Sequence, residues 1–224
     1  MTHPFILIDV PQRSAAWHAA RCGLVTASRA KDILAAIKSG GEAAARRDYR
    51  LQLMTEILTG QPAEDGFVNA DMQRGTDLEP DARRAYEART GRLVQEAGFL
   101  RHPTLRAGCS IDGHIDGYQA VIELKVPRSA THLRYLRAFD FPAEHKAQAL
   151  HIQWITGCES VELVSYDPRF PAHLTLVTHV YRATREALDD HESAVRQFLT
   201  EVDVDVRALA TEADLPTVLQ ESVR

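Results

Sequence analysis

The stretch that most restricts how this chain can fold is Cys109 to Lys125, CSIDGHIDGYQAVIELK. Asp116-Gly117 suits a two-residue hairpin turn, which would fold CSIDGHI back on YQAVIELK as antiparallel strands. Ile115 is then expected opposite Tyr118 and Asp112 opposite Val121. Side chains alternate faces along a strand, so Glu123 and Lys125 project together while Leu124 points the other way. In that register Asp112 and Glu123 are same-face diagonal neighbours, roughly 7–8 Å apart. Two carboxylates at that separation can share a hard divalent cation, with the Lys125 ammonium one step along. The plainer reading makes Asp112 a turn residue and Glu123 a strand-edge residue, since Glu-x-Lys alone is a common tripeptide.

The metal reading has a definite chemistry. Phosphodiester hydrolysis requires an activated water, a Lewis acid on the phosphoryl oxygen, relief of developing charge and a proton for the leaving group. A divalent, oxygen-loving ion supplies the first two, and carboxylates are its natural ligands. Mg²⁺ keeps several waters, so few protein ligands suffice, and the Leu124 main-chain carbonyl offers a third. Lys125, with an ordinary pKa near ~10.4, would need local depression to act as a base. Positioning and charge stabilisation are its expected roles.

Composition narrows the setting. At 224 residues, 45% hydrophobic and 25% charged, the chain suits one globular domain with a substantial core. Its 26 Lys+Arg against 31 Asp+Glu leave a net charge of −5, so a nucleic-acid site must be a local basic surface. The three cysteines form no CxxC pair and their odd count argues against a disulfide framework; a reducing cytoplasm is expected. The ten histidines show no HExxH pattern and no zinc spacing. No apolar run approaches the ~20 residues of a membrane span, and the N-terminal apolar run is too short for a signal peptide.

Along the chain, Ile6 to Val10 reads as an extended entry segment. Ser14 suits the N-cap of a short helix carrying Trp17 and Arg21 and ended by Gly23. Thr26 or Ser28 suits the cap of the next helix, with Ile33, Leu34 and Ile37 as its apolar stripe. A helix N-terminus with a hydroxyl and a nearby arginine favours an anion, so Ser28 and Arg21 form either a phosphate site or a plain cap and a solvated arginine. Glu42 to Leu58 reads as a helix burying Leu51, Met54, Ile57 and Leu58, followed by a loop from Glu64 to Ala70. The next helix, about Asp71 to Thr90, contains Glu79, which either pairs with Arg83 at i,i+4 or serves the metal centre. Strands are expected at Leu93–Leu100 and Leu105–Asp112. A helix from Ser129 to Arg137 follows, with Arg128, Arg134 and Arg137 as a basic cluster. The helix from Ala143 to Thr156 sets His145, Gln148 and His151 on one face, looking into the site or into solvent. Strands at Val161–Tyr166 and Leu174–Tyr181 precede a long helix capped by Thr184, and Asp214 to Arg224 is a tail helix or a disordered end.

Taken in order, AWHAARCGLVTAS, RGTDLEPDAR, CSIDG, IELKVP, AQALHIQWITG and YDPR resemble the phage lambda exonuclease, or YqaJ-type viral recombinase, family over residues 15 to 169. The resemblance implies an α/β (α+β) fold with a restriction-endonuclease-like core, a mixed β-sheet flanked by helices. It implies one nuclease domain over 1–224: an N-terminal helical part to residue 60 with a 5′-phosphate pocket, a nuclease core over 71–181, and C-terminal helices over 184–224. The implied activity is a Mg²⁺-dependent 5′→3′ exonuclease, with Mn²⁺ able to substitute, that digests one strand of duplex DNA. The 3′ single strand it leaves would pass to an annealing protein for recombination, and the implied assembly is a homotrimeric ring in the cytoplasm of a bacterial host.

Carried over by residue, Asp112, Glu123 and the Leu124 carbonyl would hold metal, and Lys125 would be the catalytic lysine. Glu79 would serve a second metal or its waters, and Gln148 would help place the nucleophilic water. Arg21 and Ser28 would bind the 5′-phosphate. Met72 falls near an apolar wedge at the terminal base pair, and Lys38 near a basic side chain entering the minor groove. Ile111 stands where the family usually has proline before the aspartate, and three dispersed cysteines exclude the iron–sulfur cluster of related nucleases. Three rivals follow from the same residues: a site- or structure-specific endonuclease on this core, a non-catalytic DNA-binding protein on a decayed core, and a hydrolase of small phosphoesters.

Overall fold

The computed structural model describes residues 3–36, 41–63 and 70–210. Two four-stranded sheets form its frame. In the first, β1 (Ile6–Ile8) pairs antiparallel with β3 (Phe99–Arg101), β3 antiparallel with β4 (Ala107–Ser110), and β4 parallel with β2 (Val25–Thr26). In the second, β5 (Gly113–Ile115) pairs antiparallel with β6 (Ala120–Lys125), β6 parallel with β7 (Ser160–Tyr166), and β7 antiparallel with β8 (Leu176–Tyr181). Mixed sheets flanked by helices are the architecture expected. Both outer residues of the corner between the sheets, Ser110 and Gly113, flank Ile111 and Asp112.

The alternation of β6 divides the core. Val121 joins one apolar cluster with residues of α3 (Ala44–Thr59), α6 (Lys146–Thr156) and α7 (Arg185–Leu209). Ile122 and Leu124 join a second, under Ala82 and Tyr86 of α4 (Ala70–Thr90). Each such buried aliphatic chain contributes about 1.5–3 kcal/mol, which holds helices on both faces of β6. Glu123 therefore faces the α6 side. The long α7 buries Val195, Phe198, Leu199, Val202 and Val206 at helical spacing, and the Thr184 hydroxyl accepts from the Ala187 amide at 3.2 Å. Among the described residues no helix is long and apolar enough to cross a membrane.

Several local expectations hold. Ser14 caps α1 (Ala15–Arg21) by accepting from the Trp17 amide, and Gly23 follows at φ 70°. Others are corrected. The hairpin turn is longer, because Ile115 pairs with Ala120 and Gly113 with Ile122. Asp116, Gly117 and Tyr118 all take positive φ, and the Tyr118 ring turns inward against Phe5, with centroids 4.8 Å apart, and onto His114. Packing of that ring takes Tyr118 out of the ladder. The register moves by two residues, and one step beyond the Gly113–Ile122 pair it sets Asp112 opposite Glu123 rather than diagonal to it.

The helix after Thr26 shrinks to a 3₁₀ turn over Ala27–Arg29 and α2 (Ala30–Ile33), and no side chain caps either. Leu34 is exposed, while residue 37 lies outside the described residues. On α3 the buried face carries Tyr49, Leu53, Met54, Glu56 and Ile57, with Leu51 and Leu58 exposed. The strands expected from 93 and from 105 are shorter, beginning at Phe99 and Ala107.

Candidate metal centre and its neighbouring clefts

Asp112 occupies the corner between β4 and β5, and separate elements fix its backbone. Trp17 of α1 donates its indole N–H to Ser110 Oγ at 2.8 Å. Gln12 donates to the Ile111 carbonyl at 2.7 Å, and Arg83 of α4 to the Asp112 carbonyl at 3.2 Å. A Cβ on Gly113 would lie 2.2 Å from a Val94 methyl group, so glycine lets β5 pack this closely against Val94. Asp112 Oδ2 accepts from the Leu124 amide at 2.7 Å, pinning the carboxyl against β6.

Two carboxylates face each other here. Glu123 Oε1 accepts from Lys125 Nζ at 2.5 Å and from Gln148 Nε2 of α6 at 2.6 Å. Burial, then the neighbouring Glu123 charge and that of Glu79, push the Asp112 carboxyl up to about 8, against the pull of Lys125 and the Leu124 amide. Burial would lower the Lys125 ammonium, yet Glu123 and Asp112 outweigh it and raise it. In this arrangement, with both carboxylates beside it, Lys125 carries a positive charge.

Glu79 comes from α4. Its Oε2 accepts from Arg13 at 2.6 Å and its Oε1 lies 3.5 Å from Arg83, the i,i+4 partner expected. Arg13, Thr76, Glu79 and Asp112 line both of two clefts, about 620 and 560 Å³ in volume. The second also contains Leu124, Lys125 and His145. Among the described residues no three His, Cys, Asp or Glu side chains converge closely enough to bind a metal by themselves. A cation here would take Asp112, Glu123 and the Leu124 carbonyl, and complete its shell with water. The chemistry fits: opposed carboxylates, one of them with its pKa raised by burial and by its neighbours, lose that conflict when a divalent ion replaces the proton.

A third cleft, about 500 Å³, brings together Arg21, Ser28, Arg29 and Met72. Arg21 lies 3.8 Å from the Trp17 ring centroid, and burial lowers its pKa. Among the described residues its guanidinium makes no hydrogen bond, although the Glu56 carboxylate in the same cleft attracts it, so its N–H groups remain available. Ser28 Oγ lies 3.4 Å from Thr26 Oγ1. The anion reading thus loses its helix N-terminus, because α2 has four residues, and stands on side chains. Met72, exposed, lines both this cleft and the metal cleft. Trp17 joins the two sites through the chain: its ring stacks Arg21 and its N–H holds Ser110.

The remaining expectations separate. Gln148 reaches Glu123 and His145 lines the metal cleft, but His151 is buried behind it, bonded to His191 at 3.0 Å and the Gly108 carbonyl at 3.2 Å. The basic cluster is partly neutralised, Arg128 by Asp71 and Arg134 by Glu144. Lys38 lies outside the described residues. Arg13, Trp17 and Gln12 escaped notice as site residues, because their partners are 66 to 99 positions away. The Asp167 of YDPR proves structural. Burial would raise its carboxyl, but hydrogen bonds from Arg169 and Ser129 hold it far below the usual range.

A family model described as a YqaJ-like viral recombinase domain matches residues 16–159. Two crystal structures of an alkaline exonuclease (LHK-Exo) from Laribacter hongkongensis, the second in complex with dAMP, are similar to the chain at 34% identity. Each match covers 88% of this chain and 96% of that one, with TM-scores of 0.77 and 0.78. A phage-related exonuclease from Haemophilus somnus 129PT is similar in fold, at 14% identity and TM-score 0.66, over 84% of this chain and 96% of that one. No curated protein matches the sequence.

Proposed function

This chain belongs to the YqaJ-like viral recombinase family, and from that premise we propose that it is a Mg²⁺-dependent 5′→3′ exonuclease acting on duplex DNA. The family and the exonuclease relatives support a nuclease of recombination. One observation supports the direction: Arg21 and Ser28 line one cleft, Asp112 and Lys125 another, and Met72 borders both. A terminal phosphate held by Arg21 and Ser28 would present the first phosphodiester of the same strand towards Asp112 and Glu123.

Asp112, Glu123 and the Leu124 carbonyl would hold the cation, with Glu79 reaching a second ion or its waters. Mg²⁺ held there, or Mn²⁺ in its place, would supply a Lewis acid and lower the pKa of the attacking water. Gln148 fixes Glu123 Oε1 and would help place the nucleophilic water. Lys125 offsets charge that gathers on the phosphoryl oxygens. Met72 offers an apolar side chain to the terminal base pair. Arg21 and Ser28 favour a chain end, which a nuclease cutting internally does not require. The proposal extends to a ring of three copies working in the cytoplasm of a bacterial host and passing a 3′ single strand to an annealing protein.

The test is a blunt duplex labelled at either end and carrying a 5′-phosphate or a 5′-hydroxyl, incubated with and without Mg²⁺. Shortening from the phosphorylated 5′ end, faster than from the hydroxyl end, is expected. Nicking of a closed circle at an equal rate would favour the endonuclease instead.

A further inference from the structure

Arg13 is a second cation built into the centre. Its backbone takes φ 66°, in the left-handed region that side-chain-bearing residues seldom occupy. Anchors on both sides impose this. Gln12 donates to the Ala97 and Ile111 carbonyls, while the Ser14 amide donates to the Pro11 carbonyl and its hydroxyl caps α1. The guanidinium enters both clefts that border Asp112 and gives Nη2 to Glu79 at 2.6 Å. Glu79 has Arg83 as well. The Arg13 side chain is 53% exposed, and its other nitrogens make no hydrogen bond among the described residues.

We propose that Arg13 is a tethered counter-ion for Glu79, one that yields its place when a divalent cation enters and then holds the phosphodiester of the strand being cut. A guanidinium and a metal ion compete for one carboxylate and repel each other across it. The pair is open to solvent on its Arg13 side, which keeps it weak enough to be displaced. Once displaced, Arg13 stays beside Asp112 because its backbone is fixed, and its planar fork of donors matches two phosphate oxygens. The role in substrate binding rests on the proposed nuclease activity; the competition for Glu79 does not.

Arg13→Gly is the variant of choice, because glycine accepts the left-handed backbone and the chain is expected to melt at or above the wild-type temperature. Mn²⁺ alone, titrated calorimetrically into the full chain, should bind about two- to fivefold more tightly than to wild type, the factor an exposed ion pair commands. Arg13→Lys, which keeps the charge, should bind Mn²⁺ as wild type does. On 5′-phosphorylated duplex at saturating Mn²⁺, Arg13→Gly should raise KM about tenfold with kcat within about threefold, the pattern of a lost substrate contact. Unchanged or weaker Mn²⁺ binding by the glycine variant would overturn the counter-ion role, and an unchanged KM the phosphate role. If the wild-type chain itself left the duplex intact, the nuclease reading would fall, and the Mn²⁺ titration would still decide the competition at Glu79.

Discussion

Protonation of Asp112 should govern how tightly the centre takes a divalent ion. Its carboxyl is pushed from an ordinary 3.8 to about 8 by burial and by Glu123 and Glu79. A cation must displace that proton, so below pH 8 each unit of acidity weakens binding about tenfold. At pH 6 about 1% of the carboxyl is ionised, and the apparent affinity should be about 100-fold below its alkaline plateau. Near pH 6–7 about one proton should leave per cation bound, and almost none near pH 9.5. The sign for folding follows from the same shift. A carboxyl with a raised folded pKa contributes stability that is complete below about 3.8 and is lost as pH climbs through about 8. The metal-free chain should therefore lose stability across that window, and the cation should restore most on its alkaline side. Asp112→Asn, which can still accept from the Leu124 amide, should remove that loss and bind the cation poorly. The assay is Mn²⁺ calorimetry at pH 6, 7, 8 and 9 in two buffers of different ionisation enthalpy. Affinity that stays flat from pH 6 to 8, with no proton release, would refute the reasoning.

Three further outcomes are expected. Lys125→Ala should cut at least about 100-fold more slowly while binding duplex nearly as well, measured by single-turnover kinetics and a gel-shift titration; full cleavage would remove Lys125 from the mechanism. Arg21→Ala should erase the preference for a 5′-phosphate over a 5′-hydroxyl end and leave Mn²⁺ affinity unchanged, and a retained preference would exclude the pocket. Gly113→Ala should destabilise the chain by about 1–3 kcal/mol in urea unfolding, because its methyl group meets Val94; a neutral result would show that the corner relaxes.

What could be read from the chain alone was mostly what depends on near neighbours. Ser14 and Gly23 bracket α1, Thr184 starts α7, and Gly157 at φ 66° ends α6, each through contacts within a few residues. Glu123 and Lys125 share a face for the same local reason. The hairpin register was hidden because Tyr118 is drawn out of the strand by Phe5, over a hundred positions earlier. The buried face of α3 was misjudged for a related reason. Glu56 turns inward to accept from the Gly23 amide at 2.7 Å, and Tyr49 gives its ring to the core, so a count of aliphatic residues pointed elsewhere. His151 matched the spacing of a site residue, yet α6 twists it towards His191. Arg13 carried no pattern at all, since its partner Glu79 is met only after the chain folds.

On the proposed function, one strand is consumed from a phosphorylated 5′ end by a cation-dependent centre. A duplex labelled separately at each 5′ and 3′ end tests it most directly, followed in Mg²⁺ and in chelator. Early loss of the 5′ label as mononucleotide, a persisting 3′ overhang and no reaction in chelator are expected. Early loss of the 3′ label, or internal fragments that appear before the 5′ label is released, would contradict it.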